Sequence, residues 1–149
     1  SSVVNIGDCA FNSCSSLTDV VLNGNEVVVG RLAFASCERL ASMELATHGG
    51  TMGEVFPYLT NTILSVCILN GETQIRSFMF RDCAKLQNVS LPSTLVEIGA
   101  SAFEGCFELD RVQIPDGVVS MGASAFARCG KLNFVKLSLT RFDRGHYEN

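Results

Sequence analysis

Ile98-Gly99-Ala100-Ser101-Ala102-Phe103-Glu104-Gly105-Cys106-Phe107-Glu108-Leu109-Asp110-Arg111-Val112-Gln113-Ile114-Pro115 is the stretch that decides the fold, because the rest of the chain repeats it. The same order of residue types stands at Ala10-Phe11, Cys14 and Leu17; at Ala33-Phe34, Cys37 and Leu40; at Met79-Phe80, Cys83 and Leu86; and at Ala125-Phe126, Cys129 and Leu132. The spacing is 23 residues throughout, except that Phe34 and Phe80 are 46 apart, two periods. A fixed period of this size marks stacked units, none of which can bury its apolar face without its neighbours.

Two further apolar columns lie downstream of the leucines and have six members each: Val20, Met43, Val66, Val89, Val112 and Val135, then Leu22, Leu45, Ile68, Leu91, Ile114 and Leu137. Upstream runs Ile6, Val29, Met52, Ile75, Ile98 and Met121, each followed by glycine except at Arg76. A sixth unit therefore occupies about 52–68, where Phe56, Ile63, Val66 and Ile68 keep the rhythm although Pro57 and Thr60 stand in the phenylalanine and cysteine columns. An inserted loop would be free to vary in length, so the preserved register predicts a full turn there.

Leu109-Asp110-Arg111-Val112-Gln113-Ile114 alternates with period two and reads as a short strand buried on one face. Six such strands predict a single parallel sheet roughly 24 Å wide. Asn23-Gly24-Asn25, Asn70-Gly71, Pro92-Ser93-Thr94 and Pro115-Asp116-Gly117 supply the reversals after the strands. The glycine column predicts a second bend, where a side chain would obstruct the turn or the adjacent coil. The Ala-Phe-x-x-Cys segments are expected on the outer side as short helical or irregular turns, with their phenylalanines stacked in a spine. Each buried ring contributes roughly 2–3 kcal/mol.

The 149 residues are 47% hydrophobic, enough for one well-buried domain over 1–149, with 139–149 as a partial or capping coil. Charged residues are 17% of the chain, as expected when most columns face inward. A formal charge of −4 without a basic stripe argues against nucleic acid. No apolar run is long enough for membrane insertion in this segment. The chain starts in repeat phase and reads as an excerpt of a larger protein.

Taken together, Ile98-Gly99, Ala102-Phe103, Cys106, Leu109, Val112 and Ile114-Pro115 resemble the BspA-like leucine-rich repeat family, and the likeness runs along nearly the whole chain. The unit at 52–68 departs from the pattern, lacking both the phenylalanine and the cysteine. The resemblance implies a leucine-rich repeat solenoid: six stacked 23-residue coils, a short parallel concave sheet and an irregular or short helical convex side. It also implies a secreted or surface-displayed adhesion module, as in bacteria of mouth and gut and some mucosal protozoa.

If the apolar columns point inward, the alternating residues form the concave face: Asp19, Val21, Ser42, Glu44, Ser65, Cys67, Asn88, Ser90, Arg111, Gln113, Phe134 and Lys136. Such a face can grip a protein or glycan ligand, a host extracellular macromolecule among them, without a deep pocket. Its acidic residues lie at one end and its basic residues at the other. The same columns also fit the plain solvated side of a sheet. A structural spacer and an intracellular adaptor are the rival functions, the second favoured by abundant thiols.

Five of the seven cysteines form one column, a full coil apart, which is not the clustered spacing of a zinc site. Small buried thiols explain that column; disulfides between adjacent coils stay open. Cys9 and Cys67 stand outside it. His48 and His146 have no carboxylate or nucleophile motif beside them, and neither a Gly-x-Ser-x-Gly elbow nor a phosphate loop occurs. No catalytic residue, metal or cofactor is expected. Asn88-Val89-Ser90 matches a glycosylation acceptor inside a predicted strand, a poor place for one.

Overall fold

The computed structural model describes residues 3–22, 27–45 and 62–137. The strands, in chain order, are β1 (Asn5–Ile6), β2 (Asp19–Leu22), β3 (Val28–Val29), β4 (Ser42–Leu45), β5 (Ser65–Ile68), β6 (Gln74–Ile75), β7 (Asn88–Ser90), β8 (Glu97–Ile98), β9 (Arg111–Gln113), β10 (Ser120–Met121) and β11 (Phe134–Lys136). Every pairing is parallel and steps by one 23-residue coil, as in Val20 with Met43, Met43 with Val66 and Val66 with Val89. The described residues make a β-solenoid of about five turns. The strand predicted at the end of the divergent unit is β5, seated between β4 and β7. The outer part of that unit, including Met52, Phe56 and Thr60, lies outside the described residues, as do His48, His146 and 139–149.

The core fills the space between the inner strands and the phenylalanine spine. Met43, Val66 and Val112 point inward from the strands, and Leu40, Ile63, Leu86 and Leu109 close the coil behind them. The rings stack coil on coil: Phe11 on Phe34 at 5.2 Å, Phe80 on Phe103 at 5.1 Å and Phe103 on Phe126 at 5.0 Å between centroids. Parallel stacking follows from the repeat itself, since identical coils place identical rotamers one above another.

Two expectations require correction. The first is the helical alternative for the convex side; the irregular one holds. Among the described residues there is no helix, and the outer segment is a chain of turns in which each coil bends twice through left-handed backbone. One left-handed column is Cys9, Leu32, Phe78, Ser101 and Ser124; the other is Ser13, Ser36, Asp82, Gly105 and Arg128. Nine of these ten are not glycine, and each costs roughly 1–2 kcal/mol. The cost is offset because the alternation turns successive N–H groups toward the next coil: Cys9, Phe11 and Ser13 donate to the carbonyls of Arg31, Ala33 and Ala35, and Ser101, Phe103 and Gly105 to those of Ala123, Ala125 and Ala127. A helix would spend these donors within its own coil.

The second correction concerns the single sheet. A separate ladder, missed in the sequence, joins the two-residue strands, β1 to β3 and β6 to β8 to β10. The glycine column sits just behind it. A Cβ on Gly30, Gly99 or Gly122 would strike the backbone of the preceding coil at Asp8, Ser77 or Ala100. Gly7, in the first described coil, has nothing within 4 Å. Close approach of coils, and not positive φ, is thus what the column requires. In the same layer Asp8 Oδ1 accepts the Arg31 N–H at 2.8 Å, and Ser77 Oγ accepts the Ala100 N–H at 3.1 Å. Arg76 departs from glycine where the preceding coil's partner falls outside the described residues.

Candidate functional site: the concave face and its seam

Alternation along the inner strands turns the twelve predicted face residues outward in two groups, eight on β2, β4, β5 and β7 and four on β9 and β11. Asp19, Ser42, Ser65 and Asn88 are register partners, as are Val21, Glu44, Cys67 and Ser90. Arg111 pairs with Phe134, and Gln113 with Lys136. None of the twelve is buried; Val21 is 54% exposed and Phe134 53%. Adjacent positions in each row are one strand spacing apart, about 4.8 Å. Acidic Asp19 and Glu44 lie toward the N-terminal coils, whereas Arg111 and Lys136 lie beyond Asn88 and Ser90. Asp110 Oδ2 sits 3.6 Å from Arg111 Nε, an exposed pair that partly neutralises the basic end.

The face is not continuous. β2, β4, β5 and β7 form one hydrogen-bonded sheet, and β9 and β11 form another. Asn133 and Phe134 donate to Asp110 O, and Gln87 and Asn88 donate to Leu64 O, but Asp110 and Arg111 do not repeat that bond to Gln87. Proline removes one bond at the end of each of these steps. Leu69 N–H extends the β4–β5 ladder to Leu45 O at 2.7 Å. Its equivalents one and two coils on are Pro92 and Pro115, which have no N–H to give. The pairing of β7 with β5 is accordingly one residue shorter than that of β5 with β4. Between β7 and β9, the step that carries Pro115, no pairing is made.

The same two coils remain joined elsewhere. β6 pairs with β8, Phe80 stacks on Phe103, and Asp82 N–H donates to Glu104 O at 2.7 Å. The gap is therefore a wedge, closed along the convex side and open on the concave side. It forms a cleft of about 550 Å³. Val89 and Leu91 line it and are half-buried, although Val66 and Ile68 before them and Val112 and Ile114 after them are buried. Ser93, Pro115, Asp116 and Gly117 also line it, and sequence reasoning read these only as turn residues. The available signal was proline at the same position of two successive coils.

The cysteine column is internal. Cys37, Cys106 and Cys129 each donate an S–H to a phenylalanine carbonyl of the preceding coil, Phe11, Phe80 and Phe103, at 3.1–3.2 Å. All seven thiols are free. Burial, with a smaller effect from Asp82, pushes the Cys83 thiol up to about 12, and burial raises Cys106 further. Such thiols stay protonated at neutral pH and are poor nucleophiles. Cys9, outside the column in sequence, occupies a left-handed position of the outer turn; Cys67 is half-exposed on the concave face. Among the described residues no group of three or more His, Cys, Asp or Glu could hold a metal ion, and no helix is long and apolar enough to cross a membrane.

Parallel rungs, a buried phenylalanine spine and an inner face of alternating exposed residues define a solenoid of the leucine-rich repeat class. The model of the BspA type leucine rich repeat region matches residues 1–62 and 54–149 in six copies, and the chain belongs to that family. It is similar to a leucine-rich repeat protein of Bacteroides ovatus, with 29% identity and a TM-score of 0.54 over 91% of this chain and 29% of that one. The leucine rich repeat protein of T. pallidum is 28% identical, with a TM-score of 0.50 over 91% of this chain and 52% of that one. A leucine rich cell surface protein of Faecalibacterium prausnitzii is 25% identical, with a TM-score of 0.56 over 89% and 42%. The chain spans about half or less of each of these proteins. No curated protein matches it.

Proposed function

We propose that this segment is a non-enzymatic recognition module of a cell-surface or secreted protein, engaging a protein or glycan partner through its concave face. The observation that carries the reading is the pair of outward rows on hydrogen-bonded parallel strands. Backbone bonds hold these positions at fixed spacing, so little backbone ordering is left to be done on binding. The family and the resemblance to a cell surface protein agree with such a role. Binding of the purified segment to immobilised matrix proteins and glycans tests it. A saturable partner should lose at least about tenfold in affinity with Arg111→Ala or Phe134→Ala, as expected of arginine and aromatic interface anchors. Unchanged affinity would remove the concave face from the reading. No saturable binding at all would favour the spacer.

One observation favours an intracellular adaptor as a second reading. Seven free thiols suit a reducing compartment, because secreted proteins tend to pair theirs. Labelling of intact cells with a membrane-impermeant reagent decides between them; protection of the protein supports the adaptor.

A further inference from the structure

We infer that the wedge between β7 and β9 is a binding site for a neutral saccharide of one or two rings. The proposal rests on the concave-face reading for its location and goes beyond it in naming the ligand class. The cleft of about 550 Å³ lies within the roughly 300–1,000 Å³ typical of small-ligand pockets. Its lining includes the apolar residues Val89, Leu91 and Pro115. The polar residues Ser90, Ser93, Gln113 and Asp116 complete it together with Gly117. A pyranose presents the same two kinds of surface: a ring face of C–H groups, and equatorial hydroxyls that each donate and accept.

The alternatives fit less well. A peptide strand inserted between β7 and β9 would need two strand spacings, about 9.6 Å, yet Cα atoms of these strands approach within 8 Å. Asp116 is the one charged side chain in the lining, so carboxylated sugars meet repulsion and find no cation there. A purely apolar ligand would leave the polar side of the lining unused. Pro115 has no N–H with which to extend a β7–β9 ladder toward Leu91. Gly117 keeps the opposing turns close: a Cβ there would lie 3.0 Å from Leu95 O.

The test is titration of the isotopically labelled segment with D-galactose, D-mannose, N-acetyl-D-glucosamine, lactose and N-acetylneuraminic acid, read by amide shifts. At least one neutral sugar should saturate with a dissociation constant on the order of millimolar, expected for so few heavy atoms, and shift Ser90, Gln113 and Gly117. Gln113→Ala and Asp116→Ala, both at exposed positions, should weaken it at least about tenfold, with Glu38→Ala outside the cleft unchanged. Absence of saturation by every neutral sugar, or tighter binding of N-acetylneuraminic acid, overturns the proposal. So does a macromolecular partner that depends on Gln113 and Asp116 when no sugar binds, an outcome that leaves the concave-face reading intact.

Discussion

Phe103→Ala tests the stacking of coils most directly. Phe103 is 0% exposed and lies between two rings, Phe80 at 5.1 Å and Phe126 at 5.0 Å. Removing a buried phenylalanine costs about 3–5 kcal/mol through lost transfer energy and the cavity left behind. Two stacking contacts, worth roughly 0.5–1.5 kcal/mol each beyond area burial, place the value in the upper half of that range. Phe11→Ala is the internal reference. Phe11 has the same column position but is 42% exposed and stacks on Phe34 alone, so its loss should cost about 1–1.5 kcal/mol. Urea denaturation followed by circular dichroism gives both numbers, and an unchanged m-value shows that the same cooperative unit is unfolding. Nearest-neighbour coupling predicts that the central substitution weakens the stack on both sides. Equal effects at the two positions, or a cost at Phe103 below about 1 kcal/mol, would refute the shared spine.

Gly99→Ala should destabilise by at least about 1–3 kcal/mol, because the new methyl meets the Ser77 backbone, while Gly7→Ala, facing open space, should be neutral or slightly stabilising by thermal melting. Ser124→Gly removes a side chain at φ 59° and should leave the melting temperature unchanged or raised, the opposite of glycine's usual effect. Alkaline pH should weaken the fold. Burial keeps Cys83 protonated to about 12, whereas the unfolded thiol ionises near 8.5, so stability intact below about pH 8.5 falls by about 1.4 kcal/mol per pH unit for that thiol as pH rises toward 12. Urea midpoints of the wild type and Cys83→Ala between about pH 8 and 10.5 check this; equal slopes in the two would remove the buried thiol as the cause.

The repeat period, the six inner strands, the phenylalanine spine and the twelve outward residues were legible because each depends on one coil's own alternation, copied at a fixed interval. In a stack of equal units, the column a residue occupies determines which way it faces. The outer turns were not legible. Leu32, Phe78 and Arg128 carry no local preference for left-handed backbone, and at Phe78 the N–H donates across to Ala100 O of the following coil. The same reason hid the second ladder behind Ile75 and Ile98, whose two-residue strands are too short to alternate visibly. It also hid the wedge at Val89 and Leu91. The prolines were plain in the chain, but whether coils stay apart where a bond is missing depends on how the rest of each coil packs. Sequence alone determined what each coil contains and which way it faces; tertiary structure decided how successive coils meet, because that contact is made between backbones, to which side-chain pattern is largely blind.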